Sequence, residues 1–255
     1  MKIERDIIRI FREWKETPQR KPILLQGARQ IGKTWAMETF GREEFEYYAK
    51  FDFDRQVELK SVFQNSKSPE RILKGLALYC DVPLIPGKTL IIFDEIQLQP
   101  LARQAIKYLV KDGRYDYIET GSLLTLKKNV KDIVIPSEET RLTLYPMDYE
   151  EFKWAQGDNV TMQLIKDNMT KLRPFGDAVH RKLMRDFRLY MLVGGMPQAV
   201  DAYLIDKNLS KVDAVKRSIL ELYEDDFRKI DPSGRASKLY SAIPAQLTGN
   251  ASRYN

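Results

Sequence analysis

The chain has 255 residues, 43% hydrophobic and 31% charged, which is ordinary for a globular protein with one large domain or two small ones. One cysteine (Cys80) excludes an internal disulfide; one histidine (His180) excludes a Cys/His metal cluster and leaves a single imidazole, with no G-x-S-x-G elbow beside it. The net charge of +6 is too small to identify a nucleic-acid binder, no apolar run approaches the roughly 20 residues that span a bilayer, and the N-terminus carries no secretory segment, so a cytoplasmic protein is expected.

Residues 3–14 place Ile3, Ile7, Ile8, Ile10 and Phe11 at near-helical spacing and predict an amphipathic helix. KPILLQ (21–26) is a short apolar run before glycine, the profile of a buried strand. FEYYAKFDF (45–53) alternates and predicts another. A helix is expected over 69–79, with Pro69 in its first turn. TLIIFDE (89–95) predicts a buried strand ending in acids, PLARQAIKYLVK (100–111) a helix, and 115–122 and 140–146 two more strands. Strands alternating with helices predict a parallel sheet covered on both faces. After Pro146 the pattern becomes helical throughout, over 148–156, 160–168, 178–192, 197–205 and 208–228.

Gly27-Ala28-Arg29-Gln30-Ile31-Gly32-Lys33-Thr34 fits G-x-x-x-x-G-K-[ST] between a strand and a helical segment. Glycines there permit backbone angles and close approach that a side chain would block. Successive N–H groups then ring a phosphate, and the helix N-terminus adds partial positive charge. The run Gly27 to Trp35 is therefore expected to hold ATP: Lys33 on the β- and γ-phosphates, the Thr34 hydroxyl on Mg²⁺, and the Arg29 side chain pointing outward to structure or to a partner. Asp94, ending an apolar strand, is the second expected Mg²⁺ ligand, and Glu95 beside it is placed to polarise the attacking water. Thr120 or Ser122, ending the strand IETGS, is expected to contact the γ-phosphate or that water. Arg141 is the candidate arginine for charge on the γ-phosphate.

The stretches LLQGARQIGKTW, LIIFDEIQLQP, IETGSLL, RLTLYPMDYEEF and YMLVGGMPQAV together resemble the prokaryotic AAA-like ATPases with a C-terminal domain of unknown function (domain of unknown function 4143). Thr125 stands where members often carry glycine. The resemblance covers nearly the whole chain. It implies an α/β P-loop NTPase fold, a three-layer parallel sheet of the AAA-like kind with an additional strand between the phosphate-loop and metal-aspartate strands, followed by a helical region. It implies Glu95 as the catalytic acid residue. The expected division is an ATP-binding domain with its N-terminal helix over 1–146, a helical region over 147–230, and over 231–255 the start of an incomplete winged-helix-like segment.

The expected activity is Mg²⁺-dependent ATP hydrolysis coupled to conformational change. A small-molecule kinase would call for an acceptor pocket and an arginine-rich lid, and a GTPase for an N-K-x-D motif. The alternative is a nucleotide-gated module for DNA or an acidic protein: residues 166–188 hold seven Lys/Arg against three Asp, with Arg181, Arg185 and Arg188 on one helical face.

Overall fold

The computed structural model describes residues 4–64, 67–122 and 139–247. Ile3, Thr125 and residues 248–255, which enter the reading above, lie outside them.

The α/β part begins with helix α1 (Asp6–Glu16), which buries Ile7, Ile8, Phe11 and Trp14 along one side. Strand β1 (Ile23–Gly27) leads into α2 (Lys33–Glu44), then β2 (Tyr47–Asp52). A 3₁₀ turn (Val57–Leu59), the short α3 (Lys60–Gln64) and α4 (Pro69–Leu76) precede β3 (Thr89–Asp94). Helix α5 (Pro100–Asp112), β4 (Asp116–Ser122) and β5 (Thr140–Leu144) complete this part. The turn at 57–59 and α3 are additions to the sequence reading; both are too short to carry a periodic signal.

The five strands run parallel in the order β2-β3-β4-β1-β5. Strand β4 thus separates the phosphate-loop strand β1 from the aspartate strand β3. Every residue of β3 is buried, as a central parallel strand requires. Alternation sends Leu24, Ile91, Phe93 and Tyr117 to one face, against α4 and α5. Ile23, Leu25, Leu90, Ile92 and Ile118 go to the other, against α1 and α2. The result is a three-layer P-loop fold with a separate apolar core on each face of the sheet.

Helices follow: α6 (Tyr149–Ala155), α7 (Thr161–Thr170), α8 (Asp177–Val193), α9 (Pro197–Asp206), α10 (Leu209–Ile230) and α11 (Arg235–Leu247). Asp148 and Glu151 form a reciprocal capping box that starts α6. A third, smaller core gathers Met147, Phe152, Ala155, Val193, Ala199, Val200 and Val212. The Met147 N–H donates to the Gly195 carbonyl at 2.7 Å, and the Tyr190 hydroxyl donates to the Met147 carbonyl at 2.8 Å. These bonds tie the end of the α/β part to the GGMP turn before α9 and to α8. Helix α11 occupies much of the segment expected to open a winged-helix-like unit, with Pro244 inside it.

Arg5 joins the two parts. Its Nε donates to Glu151 Oε1 at 2.9 Å, Nη1 to the Ile31 carbonyl at 2.9 Å, and Nη2 to the Tyr145 carbonyl at 2.8 Å. The Arg5 and Glu151 side chains are both buried.

Candidate functional site

Parallel pairing brings the carboxyl ends of the strands to one rim, where open α/β sheets bind ligands. Gly27 lies level with Ser122 on β4 and Leu144 on β5, and Asp94 lies level with Asp52. The loop between β1 and α2 crosses this rim. A Cβ on Gly27 would stand 2.5 Å from the Leu144 carbonyl oxygen, so a side chain is blocked there. Gly32 has φ +93° and Gln30 φ +64°; left-handed residues alternating with ordinary ones turn successive N–H groups to one side, the geometry of an anion nest.

The Ile31 side chain is buried in the core beneath the loop, while its carbonyl takes the Arg5 bond. Lys33, also buried, donates from Nζ to the carbonyls of Gly27 (3.1 Å) and Ala28 (2.8 Å). Burial pulls its pKa down; the charges of Glu95 and Asp94 oppose this. An ammonium folded onto two carbonyls of its own loop has only neutral hydrogen-bond acceptors, and a phosphate would be a stronger one.

The Thr34 hydroxyl donates to Asp94 Oδ2 at 2.9 Å, and the Thr120 hydroxyl donates to Asp94 Oδ1. Thr120 also accepts the Glu95 N–H at 3.0 Å. This bond helps hold Glu95 in a left-handed conformation, φ +55°, that a non-glycine residue rarely adopts. Burial raises the Glu95 pKa, against the hydrogen bond from the Gln97 amide and the charge of Lys33. Thr34 and Asp94 present hard oxygen donors side by side, which suits Mg²⁺. Among the described residues no three His, Cys, Asp or Glu side chains converge as a metal cage.

Two further expected residues lie on β4 and β5. Thr120 is fully buried; its hydroxyl donates to Asp94 and accepts from the Glu95 N–H, so it ties the two acids together. The side chain of Ser122, the alternative, lies outside the described residues. Arg141 pairs in register with Leu24, three residues before the Gly27–Leu144 level, about 10 Å down the strand. It is exposed on the edge strand, and its charge acts on Glu139, far from a γ-phosphate.

The Arg29 side chain leaves the loop, as expected, and pairs with Asp226 on α10 at 2.7 Å. Trp35, 36% exposed, opens a groove of about 700 Å³ walled also by Arg5, Ile8, Thr39, Asp148 and Trp154. The sequence reading missed Arg5 and Gln97. The second follows the acids within DEIQ; Arg5 carries no local signal.

Comparison with known proteins decides the family. The family model for the AAA domain matches residues 19–153, just over half of the chain. The chain belongs to the AAA domain family. In this AAA protein, residues 184–255 match a second model, a domain of unknown function (DUF8612). Among solved structures, the Aeropyrum pernix ORC1 protein in complex with DNA aligns at 14% identity and TM-score 0.38, over 61% of this chain and 47% of that one. The chain thus spans about half of that protein's length. Drosophila ORC bound to DNA aligns at 14% identity and TM-score 0.46, over 97% of this chain and 68% of that one. No curated protein matches. No helix among the described residues is long and apolar enough to cross a membrane.

Proposed function

We propose that this AAA protein binds ATP with Mg²⁺ and hydrolyses it in the cytoplasm, coupling turnover to movement of its helical part. The observation that carries this is the hydrogen-bonded set Thr34–Asp94–Thr120–Glu95 at the mouth of the phosphate loop. The loop N–H groups and Lys33 hold the phosphates. Thr34 and Asp94 would hold Mg²⁺, which would supply charge neutralisation at the phosphates. Glu95 accepts a proton from water as the water oxygen attacks the γ-phosphorus and the bond to the β-phosphate oxygen breaks. The groove that Trp35 helps to line, next in sequence to Thr34, supports a seat there for ribose and base. With Arg141 out of reach, an arginine from a second copy or another partner completes the charge on the γ-phosphate, so the isolated chain turns over slowly. We also propose the division into an ATP-binding part over 1–146, a helical region over 147–230 and a further segment from 231, and a kinship with the family carrying domain of unknown function 4143.

The test compares two variants. Lys33→Ala removes a charged donor and is expected to weaken ATP binding at least tenfold, about 1.4 kcal/mol or more. Glu95→Gln keeps the shape and loses the base: ATP stays bound and turnover falls at least tenfold. Equal turnover in wild type and Glu95→Gln would overturn the hydrolytic role; unchanged ATP affinity in Lys33→Ala would overturn the nucleotide site.

One observation favours a second reading. Lys166 and Lys182 are paired with Glu150 and Asp186, whereas Arg181, Arg185 and Arg188 on α8 are exposed and have no ion-pair partner among the described residues. Such a row supports a nucleotide-gated module for DNA or an acidic protein, with little intrinsic turnover. Duplex DNA titrated at several salt concentrations tests the DNA form of it: replacing the three arginines by alanine would reduce the salt slope. An unchanged slope would remove these residues from any DNA contact.

A further inference from the structure

Helix α10 carries Tyr223 and Asp226 three residues apart, hence on one side of the helix. Both meet the phosphate loop at Arg29, 194 and 197 residues away in sequence. The Tyr223 hydroxyl donates to the Arg29 carbonyl at 2.8 Å, and Asp226 takes the Arg29 guanidinium at 2.7 Å. Tyr223 and Phe227 also pack on Tyr240 of α11, with ring centroids 6.4 and 4.9 Å apart. The loop, α10 and α11 are thus linked by direct contacts.

The two loop contacts differ in what they can do. Both contacts lie at the surface, where water screens the Arg29–Asp226 ion pair and such pairs contribute little. The Tyr223 bond acts on a backbone atom. A peptide unit is planar and trans, so the Arg29 carbonyl and the Gln30 N–H point to opposite sides. With that carbonyl held towards α10, the Gln30 N–H points away from α10. Gln30 is one of the left-handed residues of the nest, a conformation that needs support in a non-glycine residue.

We infer that Tyr223 is a positioning residue for phosphate binding: its hydroxyl sets the Arg29–Gln30 peptide so that the Gln30 N–H faces the phosphate. This rests on the nucleotide-binding reading above. It gives a part of the segment matched by the domain of unknown function a specific role, since that segment contains Tyr223, Asp226 and Tyr240. The coupling is reciprocal: if seated α10 favours phosphate in the loop, phosphate in the loop favours seated α10.

The experiment measures ADP and inorganic pyrophosphate affinity, each with Mg²⁺, for wild type, Tyr223→Phe, Asp226→Asn and Lys33→Ala. Tyr223→Phe is expected to weaken both ligands by a similar factor, about fivefold, the loss of one hydrogen bond. The shared factor locates the defect at the phosphates and away from the base. Asp226→Asn is expected to stay within about twofold. Amide exchange over 209–230 should slow on adding ADP to wild type, and much less in Tyr223→Phe; this holds even if the variant is less stable, because each protein is its own reference. Equal affinities in Tyr223→Phe and wild type, with Lys33→Ala defective, would overturn the inference and leave the nucleotide site standing. A loss in Asp226→Asn as large as in Tyr223→Phe would overturn the peptide-orientation argument. Failure of wild type to bind either ligand would overturn both readings.

Discussion

The sheet part and the helical part are built on opposite terms. In the sheet part, all six residues of β3 are buried, and Phe51, Phe53, Phe63, Phe93 and Tyr117 form one set of packed rings. In the helical part, the 22-residue α10 buries only Val212 and Ile219, the 17-residue α8 only Val193, and α7 nothing. The sheet therefore fixes atoms, including the Asp94 and Thr120 oxygens. The helices are held by a small core and a few directed polar bonds, Arg5–Glu151, Tyr190–Met147 and Tyr223–Arg29. Segments with few buried apolar contacts open at low cost, which is what the movement proposed for the helical part would require.

The same truncation in each core gives the largest test of that contrast. Phe93 and Phe152 are both fully buried, and Phe→Ala in a core costs about 3–5 kcal/mol. Phe93→Ala should lower the main melting transition and abolish nucleotide binding together, because the sheet carries the site. Phe152→Ala should release amide protection across 149–206 while nucleotide binding is weakened and not abolished. Equal loss of binding in both would show that the two parts unfold as one unit and would end the comparison.

Arg5 tests the joint. Arg5→Ala leaves Glu151 buried without its cation and frees the Ile31 and Tyr145 carbonyls; breaking a buried pair this way costs about 3–5 kcal/mol. Because Arg5 touches the loop and α6 at once, thermal melts should show loss of stability, and titrations loss of nucleotide affinity, in the same variant. A stability loss with intact affinity would mean that the Ile31 carbonyl bond does not shape the loop.

What was legible in the sequence follows the same division. A buried parallel strand is a local apolar run, and the phosphate loop is a local motif, so β1, β3, the loop and the acids of β3 could be read directly. Amphipathic helices were read from their spacing. Contacts between distant residues leave no such trace: Arg5 with Glu151, Tyr223 with Arg29, Gln97 beside Glu95 only once the turn after β3 is known. The surroundings of Thr120 and Arg141 were not readable for a related reason. Strand identity was readable, but register was not, and register alone sets Thr120 beside Asp94 and Arg141 below the rim. Helix α11 is largely exposed and contains Pro244, a residue that helix interiors disfavour.

The smallest expected effect separates the two parts by the sign of their response to pH. In the sheet part, Glu119 is fully buried, with no hydrogen bond to either carboxylate oxygen among the described residues. Burial first and the charge of Glu139 second raise its pKa well above the ordinary carboxylate range; Arg103, 4.0 Å away and bonded to Glu139 at 2.9 Å, opposes them. Because the folded form holds the proton more tightly than the unfolded chain, Glu119's contribution is full below the ordinary carboxylate pKa. It is lost as pH rises through the elevated folded value. In the helical part, Asp158 has the opposite shift. Burial pushes its pKa up, but bonds from Thr161 and Lys153 prevail and hold it below the ordinary range. Its contribution is present above that range and lost as pH falls through the depressed folded value. Glu119→Gln keeps the shape without the charge. It should change melting little at pH 4 and raise Tm by a few °C at pH 8, since about 1 kcal/mol moves Tm by roughly 2–4 °C at this size. Asp158→Asn should lower Tm at pH 7 and lose that effect at strongly acidic pH. Melts of each variant against wild type across this range decide the matter. A Glu119→Gln difference that does not grow with pH would show that Arg103 keeps the buried carboxylate charged, and the contrast in sign between the two parts would fall.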